Sequence, residues 1–259
     1  MKKKLITSTL LGMLVTLVAC TKTTTTKTTT TTNSITTTIT TTVPTTTTTQ
    51  TKVDDKNAPV IIIDNKKLKI SIKANEQIDL LFQYADCVIR GNESTNLISK
   101  NDALKFYSRH LTDSLIPFCF LKEYFSNLNS NTKWADMGSG GGCPVFPLAI
   151  ALPNIHFFAV EPRNKRVQFL QETKNILKLD NLEVVGKRFE TSGLEGLDFI
   201  SCRALSTFEN DWERAKLALK KNGIFLTLKS FETISHLEKD SSICIQKYSL
   251  PEEDKQYAL

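Results

Sequence analysis

The chain has 259 residues, with 33 Lys+Arg against 27 Asp+Glu, and is 40% hydrophobic and 23% charged. That length suits one good-sized domain or two small ones. Residues 1–51 hold five lysines and no acid, so residues 52–259 carry 28 bases against 27 acids, which excludes a strongly basic nucleic-acid-binding body.

In chain order, Met1-Lys2-Lys3-Lys4 is a cationic start, Leu5 to Leu17 is a thirteen-residue apolar stretch, and Leu17-Val18-Ala19-Cys20 follows. This order describes a secretory signal over residues 1–20. A Cys at the cleavage point resembles the bacterial lipobox, which implies lipidation of Cys20 and membrane attachment. Of the 31 residues in Thr21–Thr51, 22 are Thr. Such a segment buries too little apolar surface to offset its backbone entropy, so residues 21–52 are expected to be a disordered linker. Within residues 53–73, Val60–Ile63 reads as a strand ending at Asp64-Asn65. Leu68, Ile70 and Ile72 then alternate with polar residues as in a half-buried strand.

From residue 74 the pattern changes. Ile78, Leu81, Phe82, Ala85, Val88 and Ile89 recur at helical spacing. Gly91-Asn92-Glu93-Ser94 reads as a loop, and Asp102 as the cap of a second helix holding Leu104, Phe106, Tyr107 and His110. Beyond Thr132, strands are expected at Lys133–Met137, Ile155–Glu161, Leu182–Val185, Leu197–Arg203 and Gly223–Leu228, with one more at Ile243–Leu250. Helices are expected at Pro144–Leu152, Arg163–Leu179 and Phe208–Lys221, the last capped by Asn222-Gly223. Strands alternating with helices of this length predict an α/β fold with a doubly wound, mostly parallel sheet.

The chemistry is expected at Asp136-Met137-Gly138-Ser139-Gly140-Gly141-Gly142-Cys143-Pro144. Glycines directly after a strand let the backbone turn sharply and approach a ligand, and the next helix N-terminus adds donors and a positive dipole. The spacing differs from the dinucleotide fingerprint G-x-G-x-x-G. The second strand ends in Glu161, 21 residues beyond Gly140, where a carboxylate can accept both ribose hydroxyls of an adenosine. Loop and acid together suit S-adenosylmethionine as well as NAD.

Asn96-Leu97-Ile98 and Arg109-His110-Leu111-Thr112-Asp113-Ser114-Leu115, then Asp136–Leu148, Arg163–Leu170 and Ser201-Cys202-Arg203-Ala204, stand in order along the chain. They resemble motifs of the ribosomal RNA small subunit methyltransferase G family, also called glucose-inhibited division protein B. Lys229 matches the lysine that ends the family's fifth strand, and the resemblance covers about residues 74–257. It implies a Rossmann-like methyltransferase domain over residues 74–259, with a short helical N-terminal extension. It also implies methyl transfer from S-adenosylmethionine to N7 of a guanine in 16S rRNA of the small ribosomal subunit, by a protein expected to be a monomer. By the same resemblance Gly138, Gly140 and Cys143 line the cofactor pocket, Phe189 and Glu190 flank the adenine, Glu161 holds the ribose, and Arg203 contacts the cofactor. Arg109, His110, Asp113, Arg163 and Arg166, with Lys165, are the RNA-contact candidates. No metal and no catalytic acid or base is expected, since guanine N7 is an unprotonated lone pair.

Three departures from the family pattern carry expectations. Val145 replaces a glycine and is expected to narrow the pocket. Cys143 replaces a larger residue and is expected to leave a gap. The sequence ends at Leu259, where the family's last strand begins, so the sheet is expected to lack that strand and keep an unpaired edge. The leader points out of the cytoplasm, whereas the enzyme reading and five cysteines without scaffold spacing (Cys87, Cys119, Cys143, Cys202, Cys244) point into it. Two alternatives stay open on the residues: a methyltransferase for a small molecule or protein, and a non-enzymatic surface lipoprotein carrying a methyltransferase remnant. If Glu161 and Arg203 serve only the cofactor, substituting either is expected to leave the free protein's melting temperature nearly unchanged.

Overall fold

The computed structural model describes residues 74–99, 103, 105–120, 128–250 and 253–259. The leader with Cys20, the Thr-rich linker, the short β segment and the Asp102 cap lie outside these residues. Helix α1 spans Ala74–Thr95. A π-helical turn over Phe106–Leu111 runs directly into α2, Thr112–Phe120. Five strands follow with their crossovers: β1 (Lys133–Met137), α3 (Val145–Ala151), β2 (His156–Val160), α4 (Asn164–Leu177), β3 (Leu182–Val185), β4 (Leu197–Arg203), α5 (Phe208–Ala215) and β5 (Leu219–Ser230). A single turn α6 (Phe231–Ile234) and the strands β6 (Lys247–Ser249) and β7 (Gln256–Ala258) complete the domain.

The sheet order is β3-β2-β1-β4-β5-β7-β6. Strands β1 to β5 pair in parallel, and β7 is antiparallel to β5 and β6. Both faces are covered, which is why these strands read as apolar runs rather than alternations. Trp134, Phe157, Ala159 and Phe199 face the core under α1, α3 and α4. Ala135, Met137, Phe158, Val160, Ile200 and Cys202 face the second core, with Ala215 of α5. Trp134 is fully buried and stacks on Phe199 with ring centroids 4.8 Å apart. The strand order reverses between β2-β1 and β4-β5, so the crevice lies at the carboxyl ends of β1 and β4, where ligands of such sheets bind.

Four expectations are corrected. Gly91–Ser94 belongs to α1 rather than a loop. A Cβ on Gly91 would lie 2.6 Å from the Phe169 ring, so the glycine serves close packing of α1 on α4. Asn222-Gly223 lies inside β5 instead of capping α5. There the ladder slips from Leu197↔Leu219 to Phe199↔Ile224, and a Cβ on Gly223 would meet the Leu197 carbonyl at 2.8 Å. The last strand is present: Gln256–Ala258 inserts between β5 and β6, and Leu259 exchanges backbone hydrogen bonds with Gln246. Val145 is fully buried in the core beside Phe146 and does not narrow the crevice.

Candidate functional site

The β1 strand delivers the chain into a turn that only glycine accommodates. Gly138, Gly140 and Gly142 have φ of 76°, 57° and 93°, the left-handed region where a Cβ is strained. Space is denied as well: a Cβ on Gly138 would meet Leu205 Cδ1 at 2.7 Å, and one on Gly142 would meet the Phe146 ring at 2.6 Å. The turn is anchored to β2, because Gly138 and Ser139 N–H both donate to the Val160 carbonyl, at 2.9 and 3.0 Å.

Glu161, at the end of β2, is 3% exposed. Its Oε2 accepts the Gly140 N–H at 2.9 Å and its Oε1 accepts the Arg163 N–H at 2.9 Å. Arg166 Nη1 stands 3.9 Å from Oε2. The carboxylate is therefore built into the glycine loop in the free protein, which corrects the view of it as a side chain that serves the cofactor alone. A carboxylate has about four acceptor sites, so two remain for a diol.

Arg203 ends β4 and places Nη1 3.4 Å from Asp113 Oδ2. Asp113 is 7% exposed and accepts the Tyr248 hydroxyl at 2.6 Å. Burial pushes the Asp113 carboxyl up from its ordinary pKa, opposed by Arg203, by the Tyr248 hydrogen bond and by Arg109. Expected among the RNA contacts, Asp113 instead ties α2, β4 and β6 together beside the crevice. Cys143 is buried, with Sγ 3.0 Å from the Tyr84 hydroxyl, which donates to the Gly141 carbonyl at 2.8 Å. The expected gap is thus filled from α1 by Tyr84, whose ring stacks on Phe146. Phe189 is buried in the second core. Glu190 turns to Arg214 of α5, whose hydrogen bond draws its pKa down.

Of the RNA candidates, Arg163 and Lys165 are exposed at the start of α4. Arg166 lies over the loop and donates to the Asn96 carbonyl at 3.4 Å. Arg109 pairs with Glu253 at 3.3 Å, and His110 lies against Phe106 with centroids 5.7 Å apart. Arg163 and Arg166 therefore join the glycine-loop rim, whereas Arg109 joins the segment between β6 and β7.

Asp136 is a site residue that the motif contained but the sequence reading gave no role. It is 1% exposed, and its Oδ1 accepts the Ser201 hydroxyl at 2.8 Å. Its Oδ2 is buried without a hydrogen-bond partner among the described residues. Burial raises its pKa from 3.8 to about 6, against the lowering effects of Ser201, Ser139 and Arg203. The folded protein therefore keeps this proton longer than the unfolded chain. The associated stability is full below about pH 4 and is lost as pH rises through about 6, a loss on the order of 3 kcal/mol at about 1.4 kcal/mol per pH unit. Asp136→Asn is expected to flatten the stability profile between pH 4 and 7, measured by urea unfolding. An unchanged slope would show that Asp136 is not the group responsible.

Comparison with known proteins agrees with this geometry. The family model described as rRNA small subunit methyltransferase G matches residues 77–256. A ribosomal RNA small subunit methyltransferase G of Ectopseudomonas mendocina (strain ymp) is 38% identical over 165 residues, covering 62% of this chain and 74% of its own. The protein of the same name from Helicobacter pylori (strain ATCC 700392 / 26695) is 36% identical over 151 residues, covering 58% of this chain and 80% of its own. The matched span takes in every strand from β1 to β6, the glycine loop, Glu161 and Arg203, and the chain belongs to the rRNA small subunit methyltransferase G family.

Proposed function

We propose that this protein transfers a methyl group from S-adenosylmethionine to N7 of a guanine in the 16S rRNA of the small ribosomal subunit. The observation that carries the reading is the family match across residues 77–256, which spans the crevice built by the glycine loop, Glu161 and Arg203. The residues fit a donor that carries an ammonium group, a carboxylate and a ribose diol. Asp136 offers a buried acceptor without a partner, Glu161 has acceptor sites to spare, and Arg203 supplies a positive charge at the end of β4.

S-adenosylmethionine supplies an electrophilic methyl group on a sulfonium. In this reading the Gly138–Gly142 backbone lets the donor approach closely, Glu161 accepts its ribose hydroxyls, and Arg203 orients it. Phe189 and Glu190 border the adenine side, and Cys143 supports the loop from beneath. Guanine N7 already presents a lone pair, so no side chain removes a proton before attack. The protein's contribution is proximity and in-line alignment. Arg163, Lys165 and Arg166, beside the glycine loop, meet RNA phosphates in this reading, and Arg109 and His110 add further RNA contacts. The near-neutral body predicts a shallow salt dependence, because few phosphate contacts release few counterions.

The reaction belongs in the cytoplasm, and the reading takes the working protein as a monomer. Intact mass of the native protein tests the leader: a lipid on Cys20 places it at a membrane, and a start near residue 70 removes the conflict. The activity is tested in a strain lacking this gene. Its small-subunit rRNA is expected to carry one unmethylated guanine that the purified protein methylates with labelled S-adenosylmethionine. Full methylation in a deletion strain without a second copy of the gene would refute the proposal.

A further inference from the structure

A buried pair of opposite charges lies behind the turn that follows β4. Lys229 is 8% exposed and Asp211 is fully buried, and Nζ meets Oδ2 at 3.0 Å. An apolar pair of similar volume often serves stability as well as a buried ion pair does, so stability alone gives little reason for these charges. Their contacts point to another role. Lys229 Nζ donates to the Ser206 carbonyl at 2.6 Å, and the Ser206 N–H donates to Asp211 Oδ2 at 3.2 Å. Both backbone groups of Ser206 are held by one ion pair. The Cys202 thiol packs against it, 3.6 Å from Asp211 Oδ2 and 3.3 Å from Thr227 Oγ1.

Two residues before Ser206, Ala204 has φ of 46°. A residue with a Cβ holds that conformation only where its surroundings over-determine it. Between the strained Ala204 and the clamped Ser206 stands Leu205, directed onto the glycine loop. It is so close that a Cβ on Gly138 would lie 2.7 Å from its Cδ1. Leu205 is also 37% exposed, one of four large apolar side chains left this open among the described residues.

We infer that Asp211 and Lys229 form a positioning clamp, which holds the Arg203–Thr207 turn in its strained form so that Leu205 makes the apolar wall of the methyl-donor site beside Gly138. The inference rests on the methyltransferase reading above. Neither charge touches donor or RNA, and both act through Ser206 and Leu205.

Lys229→Met alone would leave the buried Asp211 with only Arg214, 4.0 Å from its Oδ1, so the test combines Lys229→Met with Asp211→Leu in the full chain and removes both charges of the clamp. The double variant is expected to melt near the wild type. Its calorimetric Kd for S-adenosylhomocysteine and its KM for S-adenosylmethionine are expected to rise about tenfold, the scale of a slightly displaced binding wall, with KM for small-subunit RNA unchanged. Leu205→Ala is expected to raise the donor Kd similarly, and to add nothing when combined with the double variant. If the double variant melts too low to assay, Asp211→Asn decides, since it keeps the shape and weakens the clamp. A donor Kd that rises severalfold then supports the inference, and an unchanged one overturns it. Wild-type binding that the folded double variant retains in full overturns the clamp alone. A wild-type chain that does not bind S-adenosylhomocysteine overturns the methyltransferase reading and the clamp with it.

Discussion

Arg203→Ala is expected to destabilise the folded domain by about 3 kcal/mol, the lower end of the cost of removing one partner from a buried ion pair, and to weaken S-adenosylhomocysteine binding as well. The guanidinium is 17% exposed and its partner carboxylate on Asp113 is 10% exposed, so solvent replaces little of what is lost. Tyr248 continues to donate to Asp113, which leaves a hydrogen-bonded anion whose charge Arg109 alone opposes. Burial already raises the Asp113 pKa, and Arg203 is the first of the groups that oppose it. Without Arg203 that pKa rises further, so the folded variant holds its proton over a wider range than the unfolded chain. The deficit of the variant is therefore smallest in acid and grows as pH rises toward neutrality. Urea unfolding at several pH values measures this. Arg203→Ala combined with Asp113→Ala is expected to cost less than the sum of the single changes, because the second removes the stranded charge. Additive costs, or a melting temperature unaffected by Arg203→Ala, would show that the pair contributes nothing to the fold. The observed pairing argues against the expectation that this substitution leaves stability nearly unchanged.

Glu161→Gln is expected to weaken cofactor binding by about 1.5–3 kcal/mol, the range for hydrogen bonds to a charged group. A second effect comes from the glycine loop. The two carboxylate oxygens accept N–H groups from Gly140 and Arg163. A glutamine offers one acceptor and one donor, so one of these N–H groups faces an NH2. The free protein is expected to lose about 1–3 kcal/mol, the cost of an unmet buried polar group. Thermal unfolding without ligand and calorimetric titration with S-adenosylhomocysteine separate the two effects. Loss of stability with unaltered affinity would assign Glu161 to the loop alone. Loss of affinity with unaltered stability would mean that the loop does not depend on its charge.

The parallel α/β architecture and the position of the crevice are legible in the residue pattern. Strands such as His156–Val160 and Leu197–Arg203 show as short apolar runs because both faces of the sheet are covered, and this burial is written into consecutive residues. Four glycines after β1, three of them left-handed, and an acid after β2 mark the loop for a similar reason, since a left-handed turn restricts residue type locally. Local signals misled at Gly91 and Gly223, where a glycine answers to a side chain or carbonyl from a distant segment and not to a turn. The folded arrangement of distant segments is what sets the partner of each buried charge. Asp113 meets Arg203 90 positions away and Tyr248 135 positions away, and Asp211 meets Lys229 across the β4–β5 crossover. It also decided that Gln256–Ala258 inserts between β5 and β6. Periodicity reports whether a residue is covered and glycine reports backbone shape. The identity of the covering group depends on which segments the sheet brings side by side, and no stretch of neighbouring residues encodes that.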